Sequence, residues 1–341
     1  MGLDAATPAQ QLAQPAIAEL EGQAVALLTA AGACELAAAD TARALVWADA
    51  CGRPTQGLAR LPILLQRLRE GGIDGTATAA ATPRGEAIAE VDGRNGLGHH
   101  VGTACMQEAC SRARRAGIGL ALARNSNYLG ATGYYAWIAA ENGLLGLALS
   151  NSFPKVAGPE GREALLGTNP IGFAAPREDG RHLIVDLATA ALAGSALRGM
   201  QQRGEVPPAE AMADAQASLL RPLAGGKGFG LGLLVELLAG ALAGAGVGAQ
   251  VRSMYGEPGQ PGGNGHCMIA IDPAVVGDAE QFATALTTLL EQVGAAGDRY
   301  PGEQRMAALQ RARSEGVALD PDTQTTLDTL RAQARSQRRS L

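Results

Sequence analysis

The chemistry most visible in the chain is a glycine-rich run, Gly225-Gly226-Lys227-Gly228-Phe229-Gly230, placed ahead of an apolar stretch. Successive glycines before a helix leave backbone N–H groups open to an anion, and the helix N-terminus and Lys227 add positive potential. It is not a Walker-type phosphate loop, because Gly228 stands where Ser or Thr would reach magnesium and residue 221 is Arg. Anion binding and plain close helix packing both remain open for this run. The histidines, His99, His100, His182 and His266, lack the spacing of a metal pair on a helix and read as structural. There is no GxSxG, no HExxH, no GxGxxG after an early strand and no outstanding carboxylate pair. Cys34, Cys51, Cys105, Cys110 and Cys267 form no CxxC, so neither a disulfide scaffold nor a zinc site is expected, and a reduced cytoplasmic protein is.

The elements that must position such residues alternate along the chain. With 341 residues, 47% hydrophobic and 18% charged, the chain is globular and long enough for about two domains. Its net charge of −5 argues against a nucleic-acid binder. The first basic residue is Arg43, so the start lacks the basic region of a signal peptide. Residues 228–248 have the length of a membrane span, but Glu236 and many glycines favour a buried helix. Helical periodicity predicts two helices over 9–50 and others at 58–70, 97–116, 131–142, 191–203, 228–243, 278–293, 302–315 and 321–336. Short apolar runs predict strands at 87–91, 118–123, 144–149, 170–175, 182–187 and near 267–272. Alternating strands and helices predict an α/β fold, with a strand order the sequence does not give.

One ordered set of segments is more specific. Arg124-Asn125-Ser126-Asn127-Tyr128-Leu129-Gly130 leads to Gly133-Tyr134-Tyr135, then Leu149-Ser150-Asn151-Ser152. Gly167-Thr168-Asn169-Pro170, Val185-Asp186-Leu187-Ala188-Thr189, the glycine–lysine run and Tyr300-Pro301-Gly302-Glu303 follow. In this order they resemble the malate/L-lactate dehydrogenase family of the second type, which includes sulfolactate and ureidoglycolate dehydrogenases, diketogulonate reductase and cyclic imino-acid reductases. The resemblance runs from about residue 10 to 335. It implies a non-Rossmann NAD- or NADP-binding mixed-sheet core with helical N- and C-terminal parts: residues 1–75, a core over 76–290, and C-terminal helices over 291–341 that pack back on the first part. It also implies a homodimer with sites near the interface, and no nucleic-acid or membrane partner.

By this resemblance, cofactor contacts fall on Tyr128, Leu129, Gly130, Ala131, Thr132, Ser152, Asp186, Leu187, Ala188, Thr189, Ala190, Gly226, Lys227, Gly302, Glu303 and Gln304. Arg60 matches the arginine that meets the substrate carboxylate, with Thr168 beside the substrate; a planar guanidinium suits that task through two parallel hydrogen bonds. The departures concern proton transfer. Thr55-Gln56-Gly57 stands where the family has Ser-His-Gly, and Tyr128 stands for a second histidine. Ser195 takes the place of a relay aspartate, with Ala193 nearby in place of a histidine. Thr55, Gln56 and Tyr128 are therefore the candidate catalytic positions. Gln56 does not titrate, and Tyr128 could serve as an acid if a cation such as Lys227 lowered its pKa. Reduction of an iminium ion needs no proton donor, whereas reduction of a ketone does. The implied activity is hydride transfer from NAD(P)H to a small 2-imino or 2-oxo carboxylate. A non-catalytic cofactor-binding relative and a different reaction on the same scaffold remain alternatives.

Overall fold

In a computed structural model, residues 14–214, 216 and 218–339 are described. The predicted helical start at 9–13 lies outside them. Helix α1 (Ile17–Ala30) buries Leu20, Ala24, Leu27 and Leu28, one face at helical spacing. Helix α2 (Glu35–Ala50) is buried nearly all round, since alanines let its neighbours approach on every side. Two 3₁₀ turns, Pro54–Gln56 and Leu58–Arg60, lead into α3 (Leu61–Arg69), whose first turn holds Pro62.

The core is a seven-stranded mixed sheet. Its strands are β1 (Ala80–Pro83), β2 (Ile88–Asp92), β3 (Ile118–Ser126), β4 (Leu145–Ser150), β7 (Ile171–Ala175), β8 (Leu183–Leu187) and β9 (Asn264–Ile271). A separate two-stranded sheet pairs β5 (Val156–Ala157) with β6 (Ala164–Leu166). The order is β1-β2-β3-β9-β4-β7-β8; β2 and β3 run parallel and the other neighbours antiparallel. β9 is therefore inserted between β3 and β4, far from its place in the chain. Strands β1, β5 and β6 were not anticipated: Ala80–Pro83 is exposed and ends in proline, so it carries no alternating apolar signal.

Side-chain alternation separates two packed faces. Ala121, Ala123, Ala148, Met268 and Ala270 meet α4 (Gly98–Ala116) and α5 (Thr132–Glu141) in the main core. Leu122, Leu149 and Cys267 face the other way, against Val235 and Ala239. Helix α6 (Gly194–Gln202) follows β8. The single helix expected over 228–243 is instead α7 (Gly226–Val235) continued by a π-helical stretch, Glu236–Ala241. Buried Glu236 lies in that stretch and accepts from the Asn151 and Asn169 amides and from Gly248 N–H, polar demands that helical periodicity does not register. α8 (Pro273–Val276) and α9 (Ala279–Ala295) follow β9. α10 (Glu303–Glu315) and α11 (Pro321–Arg339) return to the N-terminal helices, and Leu309 and Leu327 share one core with Leu28 and Leu45. No helix among the described residues is long and apolar enough to cross a membrane.

Candidate active site

The turn after α2 builds one wall of a cleft. Asp49 ends that helix buried; its Oδ2 accepts from Leu58 N–H at 2.7 Å, while Oδ1 has no partner. Gly57 must stay a glycine, because a Cβ there would lie 2.3 Å from the Asp49 carboxylate. This packing aims the preceding Thr55-Gln56 and the following Arg60 into the cleft. Arg60 is 8% exposed. Its Nε donates to the Thr55 carbonyl at 2.6 Å and its Nη1 to the Tyr255 hydroxyl at 2.5 Å. No carboxylate pairs with it among the described residues. Of a guanidinium's five N–H groups, three are left to meet a ligand. The Thr55 hydroxyl donates to Ser195 Oγ at 3.3 Å, which joins α6 to the turn.

The opposite wall is the end of β3. Tyr128, Leu129 and Gly130 line the cleft, and the Tyr135 hydroxyl fixes the Leu129 carbonyl at 2.6 Å. The His99 ring packs edge-on behind Tyr128, with no hydrogen-bond partner for either nitrogen. Burial holds His99 neutral, down to about 3. The expectation that a cation lowers the Tyr128 phenol is overturned: burial pushes it up to about 12, against a smaller opposing pull from Arg60. Lys227 plays no part there. It stands exposed at the start of α7 and does not line the cleft.

Of the residues assigned a catalytic, substrate or cofactor role by sequence, eleven line this one cleft: Thr55, Gln56, Arg60, Tyr128, Leu129, Gly130, Ser152, Thr168, Asp186, Leu187 and Ala188; the substituted positions Ala193 and Ser195 line it as well. The other assigned residues stand outside its lining. Ala131, Thr132, Thr189 and Ala190 are buried behind it. Thr132 donates to Asp186 Oδ1 at 3.1 Å, and Thr189 donates to the Thr168 carbonyl, so both act as ties. Gly302, Glu303 and Gln304 begin α10 behind β8, where Ile184 N–H donates to the Pro301 carbonyl. The next residue, Arg305, pairs with Asp186 Oδ2 at 3.3 Å. Gly226 and Lys227 are exposed at the start of α7, where Gly228 packs so closely on Leu223 that a Cβ would be 2.2 Å from its carbonyl oxygen.

The GTNP segment is explained by Asn169. Its Oδ1 accepts from Ser152 N–H, and its amide donates to the Gly232 carbonyl and to Glu236, so one side chain joins the cleft to the π-helical stretch. Sequence reading missed Arg53, Lys155, Arg198, Arg252 and Tyr255, which also line the cleft. They come from four separate segments of chain and share no motif, so only the fold brings them together.

The cleft encloses about 1290 Å³, counting the part open to solvent. Backbone at Gly130, the Ser152 hydroxyl and the exposed guanidiniums of Arg53 and Arg252 suit a phosphate-bearing dinucleotide. Fold and cleft thus define an α/β protein without a Rossmann motif whose one described cleft is rich in cations and suited to an anionic ligand.

The chain belongs to the malate/L-lactate dehydrogenase family, whose model matches residues 16–328, and it is accordingly an NAD(P)-dependent oxidoreductase. It is 33% identical over 329 residues to the (2R)-3-sulfolactate dehydrogenase (NADP(+)) of Chromohalobacter salexigens, covering 93% of this chain and 96% of that one. It is 31% identical over 285 residues to the L-sulfolactate dehydrogenase of Methanothermobacter thermautotrophicus, covering 80% and 83%. The crystal structure of the Δ1-piperideine-2-carboxylate reductase of Pseudomonas syringae pv. tomato superposes with a TM-score of 0.85 at 28% identity, over 94% of this chain and 100% of that one.

Proposed function

We propose that the chain is an NAD(P)H-dependent reductase of a small 2-imino or 2-oxo carboxylate. The observation that carries this reading is Arg60: a buried guanidinium with no acid partner among the described residues, facing a cleft beside Thr55, Gln56 and Tyr128. Arg60 holds the substrate carboxylate through the N–H groups left free by Thr55 and Tyr255, and so orients the carbon to be reduced. The bound nicotinamide supplies the hydride. Leu129, Gly130, Ser152, Asp186, Leu187 and Ala188, which line the cleft, would hold it. Asp186, fixed by Thr132 and Arg305, keeps β8 in register with α5 and α10.

Proton management divides the two substrate types. No histidine lines the cleft among the described residues. Tyr128, raised to about 12, stays protonated at neutral pH and is a weak acid. A 2-oxo acid reduced here draws its proton from Tyr128, Thr55 or water. A 2-iminium acid arrives already protonated and leaves as a neutral amine, so the absent histidine matters less for it. This favours the imino substrate within the class.

The reading also includes a homodimer in a reduced, cytoplasmic setting. Leu231, Leu233, Leu234, Leu237 and Leu242 form an exposed apolar face on α7 and its π-helical continuation, which supports self-association. All five cysteines are unpaired, which suits a reducing compartment. Calorimetric titration with NADPH and NADH tests the cofactor, followed by cyclic imino acids and 2-oxo acids as substrates. Micromolar or tighter binding of one cofactor and its oxidation by one of these acids is expected; absence of binding by both overturns the reading. Light scattering is expected to give a dimer mass, and a monomer overturns that part.

A further inference from the structure

Glu236 is a buried acid with no positive charge to neutralise it. It is 7% exposed, and no cation pairs with it among the described residues. Burying a carboxylate costs free energy unless hydrogen-bond donors fill its lone pairs. Here backbone and asparagine N–H groups fill them. Oε1 accepts from the Asn151 amide at 3.3 Å and from Gly248 N–H at 2.8 Å, and Oε2 accepts from the Asn169 amide at 2.7 Å. The π-helical stretch that begins at Glu236 packs against one of these donors, since a Cβ on Gly240 would lie 3.0 Å from Asn151 Nδ2. Such stretches recur at functional sites.

A carboxylate only accepts hydrogen bonds. Both asparagines must therefore turn their NH2 groups to Glu236, and neither has a donor to spare. Asn151 gives its other N–H to the Gly246 carbonyl, and Asn169 gives its other one to the Gly232 carbonyl. This fixes where the two amide oxygens point. Asn169 Oδ1 takes Ser152 N–H at 3.1 Å, and Asn151 Oδ1 takes Gly265 N–H at 2.9 Å. Asn151 and Ser152 line the cleft, whereas Glu236 stands outside its lining.

We propose that Glu236 is a positioning residue for the cofactor: its acceptor-only carboxylate sets the orientation of Asn151 and Asn169, and through them holds the Asn151-Ser152 wall against the dinucleotide. This rests on the assignment of Ser152 to the cofactor. The competing role is packing alone, and the two roles order the variants differently. Glutamine keeps the shape of glutamate but sets an NH2 against an asparagine NH2. Relief needs an amide to rotate, which turns a donor onto Ser152 N–H or Gly265 N–H. Aspartate is one methylene shorter but still only accepts. Packing alone therefore favours E236Q over E236D, and the positioning role favours E236D over E236Q.

The test is calorimetric titration of the full chain with NADPH and NADH, for wild type, E236Q, E236D, N169D and N169D/E236Q, with thermal melting to verify folding. E236Q is expected to bind the preferred cofactor at least about fivefold more weakly than wild type. E236D is expected to bind it more tightly than E236Q. Aspartate tolerates the left-handed backbone at position 169, whose φ is 33°, but N169D alone sets two carboxylates against each other and is expected to be no better than E236Q. In N169D/E236Q the new carboxylate at 169 accepts both from Ser152 N–H and from the new amide at 236. This double variant is expected to bind at least about threefold more tightly than either single one. With cofactor saturating, KM for the acid substrate is expected to stay within about twofold of wild type in E236Q, because Arg60 is untouched. A smaller loss in E236Q, or E236D weaker than E236Q, overturns the proposal in favour of packing. A double variant no better than the single ones also overturns it. If E236Q does not fold, N169D against N169D/E236Q carries the same comparison. A wild type that binds neither cofactor refutes the cofactor reading and the proposal with it; a wild type that binds one, with variants that fail this order, refutes the positioning role alone.

Discussion

Replacement of Arg60 by alanine tests the centre of the mechanism. The side chain is buried and already donates to the Thr55 carbonyl and the Tyr255 hydroxyl. Its remaining N–H groups permit a two-pronged contact with a carboxylate. Each charge-assisted hydrogen bond contributes about 1.5–3 kcal/mol, so losing two costs about 3–6 kcal/mol. At 1.36 kcal/mol per tenfold, kcat/KM falls by roughly 10²–10⁴. The loss is expected mainly in KM, because the carboxylate is gripped in the ground state and the transition state alike. R60K keeps the charge but not the planar fork, and is expected to fall between wild type and R60A. The assay is the initial rate of reduced-nicotinamide oxidation across substrate concentrations, with melting temperature as the folding control. A folded R60A whose KM and kcat/KM stay within about threefold of wild type refutes the carboxylate assignment.

Installing the family's histidine by Gln56→His with Thr55→Ser is expected to raise 2-oxo-acid reduction by about 10²–10⁴-fold and imino-acid reduction far less, as a positioned general acid does; equal gains on both substrates contradict the proton argument. Gly57→Ala forces a methyl onto the buried Asp49 carboxylate. It is expected to destabilise the fold by about 1–3 kcal/mol in chemical denaturation, and an unchanged midpoint refutes that packing. Burial raises Asp49 to about 8, so between the unfolded carboxyl's range and pH 8 the folded state binds the extra proton and stability falls as pH rises. Burial lowers His99 and His266 to about 3, so the unfolded state binds the extra protons between pH 3 and 6.5 and stability falls on acidification there. Melting temperature is therefore expected to peak near pH 6.5. Asp49→Asn should flatten the alkaline limb and steepen the acid one, and an alkaline limb unchanged in that variant removes Asp49 as its cause.

The main helices and the six core strands were legible from the chain because burial on one face imprints a period. Ala121 and Ala123 against Leu120 and Leu122 on β3 show the strand pattern, and Leu61, Leu64, Leu65 and Leu68 on α3 show the helical one. Helix boundaries agreed closely where a glycine ends the turn, as at Gly117 after α4. The ordered segments pointed to the cleft residues around Tyr128 and Asp186, because each lies within a contiguous run, and Arg60 came from the resemblance as a single matched position. Other features left no local trace. Insertion of β9 between β3 and β4 is a long-range pairing that no short window encodes. The high pKa of Tyr128 and the low one of His99 arise from neighbours distant in sequence. The same holds for the cations: Arg60, Lys155 and Arg198 are ordinary residues on three unrelated segments. Periodicity and motif are properties of neighbouring residues, and the chain by itself determined those. Solvation and charge balance depend on everything within a few ångströms in space, so tertiary structure alone decided which side chains face the cleft and in which direction burial shifts their titration.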